Sequence, residues 1–102
     1  MNILTVAFSI QMLDYNREEV TVRFKQIKKS QIPRDVISAI GYPEMVETLN
    51  GILGLKLSVD RKYVKLNSKD NIYVAQYIGG RLLGENMSYN ESMFKFYKVE
   101  LL

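Results

Sequence analysis

Arg61, Tyr63 and Lys65 alternate along the chain with Lys62, Val64 and Leu66. In an extended segment the two-residue period puts the first three on one face and the second three on the other. Cations interleaved with an aromatic ring suit a ligand built of phosphate and base, the cations meeting charge and the ring stacking on the base. A solvated strand face carries the same residue types, and the pattern alone does not separate the two. A second group, Gly41-Tyr42-Pro43-Glu44, stands where a helix is expected to begin. Backbone amides without intrahelical partners and the positive end of the helix dipole make such a place an anion site, and glycine lets a ligand approach the backbone. On local sequence alone it is plainer to take Gly41 as a cap and Tyr42 as a lid on the core. Ser9 and Gln11 follow the first apolar run, and Arg81 follows Gly79-Gly80. These are polar groups at the ends of expected strands, where open α/β sheets place ligand contacts.

The composition excludes much of the remaining chemistry. The 102 residues include no His and no Cys, which removes disulfides, thiolate nucleophiles, zinc fingers, Ser-His-Asp triads and His-ligated metals. Carboxylates stand at no interpretable paired spacing and no Gly-rich phosphate cradle is present, so no metal and no cofactor is expected. Reactive groups must come from Asp, Glu, Lys, Arg, Tyr or Ser. With 14 Lys plus Arg against 11 Asp plus Glu, the net charge of +3 permits an anionic ligand without demanding one. Hydrophobic residues make up 47% and charged residues 25%, the balance of one globular domain over residues 1–102. The apolar run at residues 3–10 has no basic stretch before it and falls far short of the ~20 residues that span a bilayer, so no membrane association and a cytoplasmic setting are expected.

These groups need a scaffold. Residues 3–8 are nearly continuously apolar, as in a central strand buried on both faces. Residues 20–25 alternate, as in a half-buried strand. A first short helix is expected to enter at Ser30 to Ile32, start at Pro33, turn Val36, Ile37 and Ile40 inward and end at Gly41. A second starts at Pro43 with Glu44 in its first turn, buries Met45, Val46, Leu49, Ile52 and Leu53, and ends between Gly51 and Gly54. Strands are expected at residues 61–66 and 72–78, joined as a hairpin through Asn67-Ser68-Lys69-Asp70-Asn71, and a last strand at residues 94–101. The fold class is therefore α/β, one small domain with a mixed sheet of about five strands flanked by short helices. Residues 2–28 and 71–99 echo each other loosely as a strand-loop-strand pseudo-repeat, through Asn2-Ile3 and Asn71-Ile72, Val6-Ala7 and Val74-Ala75, Phe24-Lys25 and Phe94-Lys95.

In chain order, Ala7-Phe8-Ser9-Ile10-Gln11-Met12-Leu13, Ala39-Ile40-Gly41, Leu49-Asn50-Gly51-Ile52-Leu53-Gly54, Arg61, Arg81-Leu82 and Phe96-Tyr97-Lys98-Val99 resemble the viral ring nucleases. These are anti-CRISPR proteins of type III systems, common in archaeal viruses and first known as a domain of unknown function. The resemblance covers nearly the whole chain in short blocks. It implies a compact α/β homodimer that binds cyclic tetra-adenylate across its interface, in the host cytoplasm. It also implies metal-independent cleavage, in which a ribose 2′-hydroxyl attacks its own phosphate with help from a His after the Ile-Gly pair and a Glu after the Arg-Leu pair.

This sequence departs from that pattern at the reacting groups. Tyr42 follows Gly41 where the family has His, and Leu83-Gly84-Glu85 follows Arg81-Leu82, so the acid is displaced by one residue or lost. An Asn expected near Val6 is absent and another has become Gln11. Residue by residue, the resemblance carries over a binding set: Ser9, Gln11 more weakly, the amides around Gly41, Arg61 and Arg81. It leaves Tyr42 and Glu85 in the catalytic positions. A phenol, with an ordinary pKa of about 10, is a poor base at neutral pH beside an imidazole near 6.5, and losing that role costs on the order of 10²–10⁴ in rate. The expectation is a protein that still binds the ring and cleaves it slowly or not at all. The alternative is a protein-interaction module on the same fold, with a peptide in the pocket or in a groove between strands. A nucleic-acid-binding regulator has only the modest positive charge in its favour.

Overall fold

The computed structural model describes residues 1–13, 16–67, 69–79 and 90–102. Strands β1 (Asn2–Thr5), β2 (Val22–Ile27), β3 (Ile37–Ser38), β4 (Asn71–Tyr77) and β5 (Phe94–Leu101) form one mixed sheet in the order β2-β5-β4-β1-β3. Helix α1 (Pro43–Leu53) lies between β3 and β4 in the chain, and short 3-10 turns occupy Ile10–Met12, Lys29–Gln31 and Glu91–Met93. The α/β class and the five-stranded mixed sheet are as expected. β1 runs parallel to both neighbours, with Ile3 opposite Ile37 and Ile72. β5 is antiparallel to both β4 and β2. The echoing residues Asn2 and Asn71 are direct partners, and β4 pairs with β5 whereas β1 lies between β3 and β4.

Each sheet face has its own cover. On one face, Leu4, Tyr73, Ala75 and Phe96 pack with Ile40 and with Val46 and Leu49 of α1. On the other, Ile3, Ile72, Val74 and Val99 pack with Val64 and Leu66. Coverage on both faces explains why β1 and β4 are apolar almost throughout, while edge strand β2 is largely exposed.

α1 starts and stops where its residues dictate. Pro43 occupies the first turn with Glu44 beside it, and Gly54 takes a left-handed φ of 65° that lets its N–H reach the Asn50 carbonyl. The chain is then turned back by Asn50, whose side chain both accepts from the Leu57 amide (2.6 Å) and donates to the Leu57 carbonyl (3.0 Å). Arg34 adds a hydrogen bond to the Gly54 carbonyl at 2.6 Å. Gly51, expected to mark the end of this helix, lies inside it on the exposed side.

Four further expectations are corrected. The first apolar run is strand only to Thr5; beyond it the chain leaves the sheet and Ser9 starts a 3-10 turn. No helix forms at residues 33–40. A single turn after Pro33 (Val36 N–H to Pro33 O, 3.3 Å) leads into β3, and the Ala39 amide donates to the Leu4 carbonyl at 2.9 Å. The β-branched Val36 and Ile37 fit a strand beside β1 better than a helix of eight residues that lacks a strong cap. Residues 61–66 are extended but join no ladder. They form a strap across the second sheet face, held by the Asp60 amide on the Ile40 carbonyl (2.9 Å) and the Leu66 amide on the Met12 carbonyl (2.7 Å). The expected hairpin loop is instead an Asn turn, in which the Asn67 side-chain oxygen accepts from the Lys69 and Asp70 amides at 2.7 and 2.9 Å.

Candidate functional site

Because β1, β3 and β4 are parallel, the segments that leave their C-terminal ends emerge at the same side of the sheet. The segment after β1 carries Ser9 and Gln11, the segment after β3 carries Gly41 and Tyr42, and the strap links the two. From Tyr63 onward the alternation has the expected sense: Val64 and Leu66 are buried while Tyr63 and Lys65 are exposed, and Arg61 is exposed as expected, but Lys62, expected on the face of Val64 and Leu66, is exposed as well. The pattern holds over residues 63–66, although the partner beneath is a sheet face and not an adjacent strand.

At the first end of the strap, Arg61 lies directly on Gly41. A Cβ added to Gly41 would come within 2.7 Å of Arg61 Nε and 3.0 Å of Arg61 Cβ. Glycine is therefore required for room rather than for an unusual φ, since among the described glycines the positive φ belongs to Gly54. The Arg61 guanidinium sits 5.8 Å from the centroid of the Tyr42 ring, within cation–π range. Tyr42 is 61% exposed, so it is a platform at the surface and not a lid on the core. Pro43 brings no N–H, and the Met45 and Val46 amides already donate to the Tyr42 carbonyl at 3.1 and 3.0 Å. That leaves the amides of Gly41, Tyr42 and Glu44 for an anion, fewer than a helix start offers in general.

At the other end, Lys65 Nζ donates to the Gln11 carbonyl at 2.8 Å. Ser9 Oγ accepts from the Gln11 amide at 3.2 Å, capping the 3-10 turn. The structure thus brings Gly41, Tyr42 and Arg61 into one cluster and Ser9, Gln11 and Lys65 into another. Arg61 and Lys65 are four residue steps apart along the strap, at most about 14 Å. The result is an open strip, not an enclosed pocket. Lys62 is occupied by Asp60 at 3.2 Å. Arg81 and Glu85 lie outside the described residues. The tie between Lys65 and Gln11 was invisible in the sequence, because it joins a side chain to a backbone oxygen 54 positions away.

Two groups with displaced pKa lie elsewhere. Burial, with Asp35 and Glu100 nearby, pushes the Tyr73 phenol up. A hydrogen bond from Arg23 holds the Glu100 carboxyl below its usual range. Concavities also occur away from the strip, one of them apolar and lined by Phe8, Phe24, Val74, Gln76 and Tyr97. Among the described residues no cluster of three or more acidic ligands gathers for a metal ion, and no helix is long and apolar enough to cross a membrane.

The STIV B116-like family matches residues 2–101, a span that takes in all five strands, α1 and the strap. The chain belongs to the STIV B116-like family. That family is named for a protein of an archaeal virus, and the solved structure of B116 of Sulfolobus turreted icosahedral virus superposes on this chain with a TM-score of 0.73. The superposition covers 97% of each chain at 23% sequence identity, which shows a common fold. No match was found among curated proteins. The STIV B116-like fold thus agrees with the viral part of the resemblance read from the sequence, and its parallel strand ends carry the strip.

Proposed function

We propose that this STIV B116-like protein binds a cyclic oligoadenylate, cyclic tetra-adenylate first of all, between the two chains of a homodimer in the host cytoplasm, with cleavage weak or lost. The observation that supports it most directly is Arg61 packed on Gly41 at the start of α1. A permanent cation, open backbone amides and a surface aromatic ring converge there, and together they suit a phosphate joined to a base. The strip is shallow on one chain. Two copies facing each other across a two-fold axis would supply four clusters to a ring with four phosphates, and would also cover apolar surface that about 100 residues leave exposed. Tyr42 in place of the family imidazole leaves ring binding intact and removes the proton carrier. Orientation of the ribose hydroxyl can still support slow turnover.

Isothermal titration with cyclic tetra-adenylate, joined to light scattering, tests this. The expected result is one ring bound per two chains and a mass near twice 11.8 kDa. No heat at high micromolar ligand, or a monomer that stays a monomer with ligand present, overturns it. The alternative, a peptide-binding module, draws on the apolar concavity beside exposed edge strand β2, where Phe24 is 51% exposed. An edge strand can add a peptide strand through its backbone.

A further inference from the structure

We propose that Tyr63 is the base-stacking residue of the ring site, and that it supplies the preference for a purine base over the bare sugar-phosphate ring. This rests on the ring-binding reading above and adds to it a residue outside the set that the resemblance carried over. Tyr63 is 93% exposed, while the residues at 64 and 66 are 7% and 6% exposed. The ring therefore contributes almost nothing to the core, yet it stands on backbone anchored by buried neighbours and by hydrogen bonds at both ends of the strap. A stacking platform needs that combination: an open π-face on a support that does not move when the base arrives.

Its neighbours decide what would stack on it. Arg61 and Tyr63 stand two residues apart on one face of the strap, roughly 7 Å in extended chain. A phosphate held by Arg61 thus places its own nucleoside within reach of the Tyr63 ring. Tyr42, the other exposed aromatic of the strip, already has the Arg61 guanidinium over its face at 5.8 Å. That leaves Tyr63 as the ring with an open face on the same side as the cation. Stacking depends on the π-system, whereas the hydroxyl is dispensable, so phenylalanine should serve and alanine should not.

The test is titration of cyclic tetra-adenylate into wild type, Tyr63→Ala, Tyr63→Phe and Arg61→Ala at two salt concentrations, with mass measured for each. Tyr63→Ala should weaken binding roughly 10- to 100-fold, keep the dimer mass and keep the salt dependence of wild type. Tyr63→Phe should bind within about threefold of wild type. Arg61→Ala should weaken binding and show a shallower salt dependence than wild type, because it removes a phosphate contact. The chain has no Trp, so quenching of tyrosine emission on ring binding, reduced in Tyr63→Ala, gives a direct signature of stacking. If wild type binds the ring and Tyr63→Ala binds equally well, or if Tyr63→Ala falls to a monomer, the assignment is overturned while ring binding stands. If wild type binds no ring, the ring-binding reading fails and this assignment fails with it.

Discussion

The two sheet faces are covered by different devices. On one, α1 lays a buried stripe of Val46 and Leu49 over Leu4, Tyr73 and Phe96. On the other, the strap inserts only Val64 and Leu66 and turns every other side chain outward. A helix of this size devotes a whole face to packing and is replaceable only by residues that pack. A strap that buries alternate residues keeps the others available for a ligand, and its cations and exposed aromatic ring are found there. Damage to the first cover should therefore appear in stability, and damage to the second in binding.

The largest expected effect is on the helix side. Leu49 is fully buried, and Leu49→Ala should cost about 2–5 kcal/mol through lost transfer energy and a cavity. Urea denaturation measures it, and ring affinity should be unchanged at temperatures where the variant is folded. A loss below about 1 kcal/mol would show that α1 can collapse onto the sheet, and would erase the contrast between the two covers. Next comes Tyr42→His, which places an imidazole beside Arg61. Cleavage of cyclic tetra-adenylate should rise by up to about 10²-fold, at the low end of the general acid–base range, with a pH dependence near that of an imidazole. The gain should stay partial because Glu85 is out of register with the acid that the ring-nuclease resemblance implies. Rapid metal-independent cleavage by wild type would show that positioning alone suffices.

On the strap side, Arg61→Ala should weaken ring binding by roughly 1.5–3 kcal/mol, the range for hydrogen bonds to charged groups. Its stability should stay within about 0.5 kcal/mol of wild type, as for exposed residues away from the core. Gly41→Ala should act in the same direction and more weakly. The added methyl meets Arg61 Nε at 2.7 Å, which the flexible side chain can escape, and Arg61 Cβ at 3.0 Å, which only a shift of the strap relieves. Affinity unchanged in Gly41→Ala would mean that Arg61 is not held where the ligand needs it.

The contrast also explains what is legible in the sequence alone. α1 was legible from Pro43 through Gly54, because a helix writes its caps and its period into contiguous residues. β5 was legible to the residue, at Phe94–Leu101. The strap was legible in its faces but not in its role, since alternation reports which side is buried and says nothing of what buries it. The segment after Pro33 misled, because Val36, Ile37 and Ile40 satisfy a helical spacing while parallel pairing with β1, 34 positions away, decides the outcome. Of the candidate site, Gly41, Tyr42 and Arg61 each stand out in the sequence, but their mutual contact depends on the Asp60–Ile40 hydrogen bond, which no local pattern announces.

The smallest expected effect tests the part of the helix-side face that α1 leaves open. There β2 and β5 bring Lys25 directly opposite Lys98, and Arg23 opposite Glu100. Like charges directly across a ladder are unfavourable, and Glu100 offsets them by accepting from Arg23 (2.9 Å from Nε) and lying 3.8 Å from Lys98. The Arg23 hydrogen bond is the main cause holding the Glu100 pKa below its ordinary 4.5. A carboxyl whose folded pKa is depressed stabilises the fold above its unfolded value, and the contribution is lost as pH falls through the folded value. Glu100→Gln should therefore lower the urea midpoint slightly at pH 7, and the difference from wild type should close as pH falls below 4.5. Both partners are largely at the surface, so added salt should shrink the difference at pH 7 as well. A gap that persisted unchanged at pH 2, where both side chains are neutral on the same aliphatic stem, would mean that ionisation of Glu100 is not what stabilises this end of the sheet.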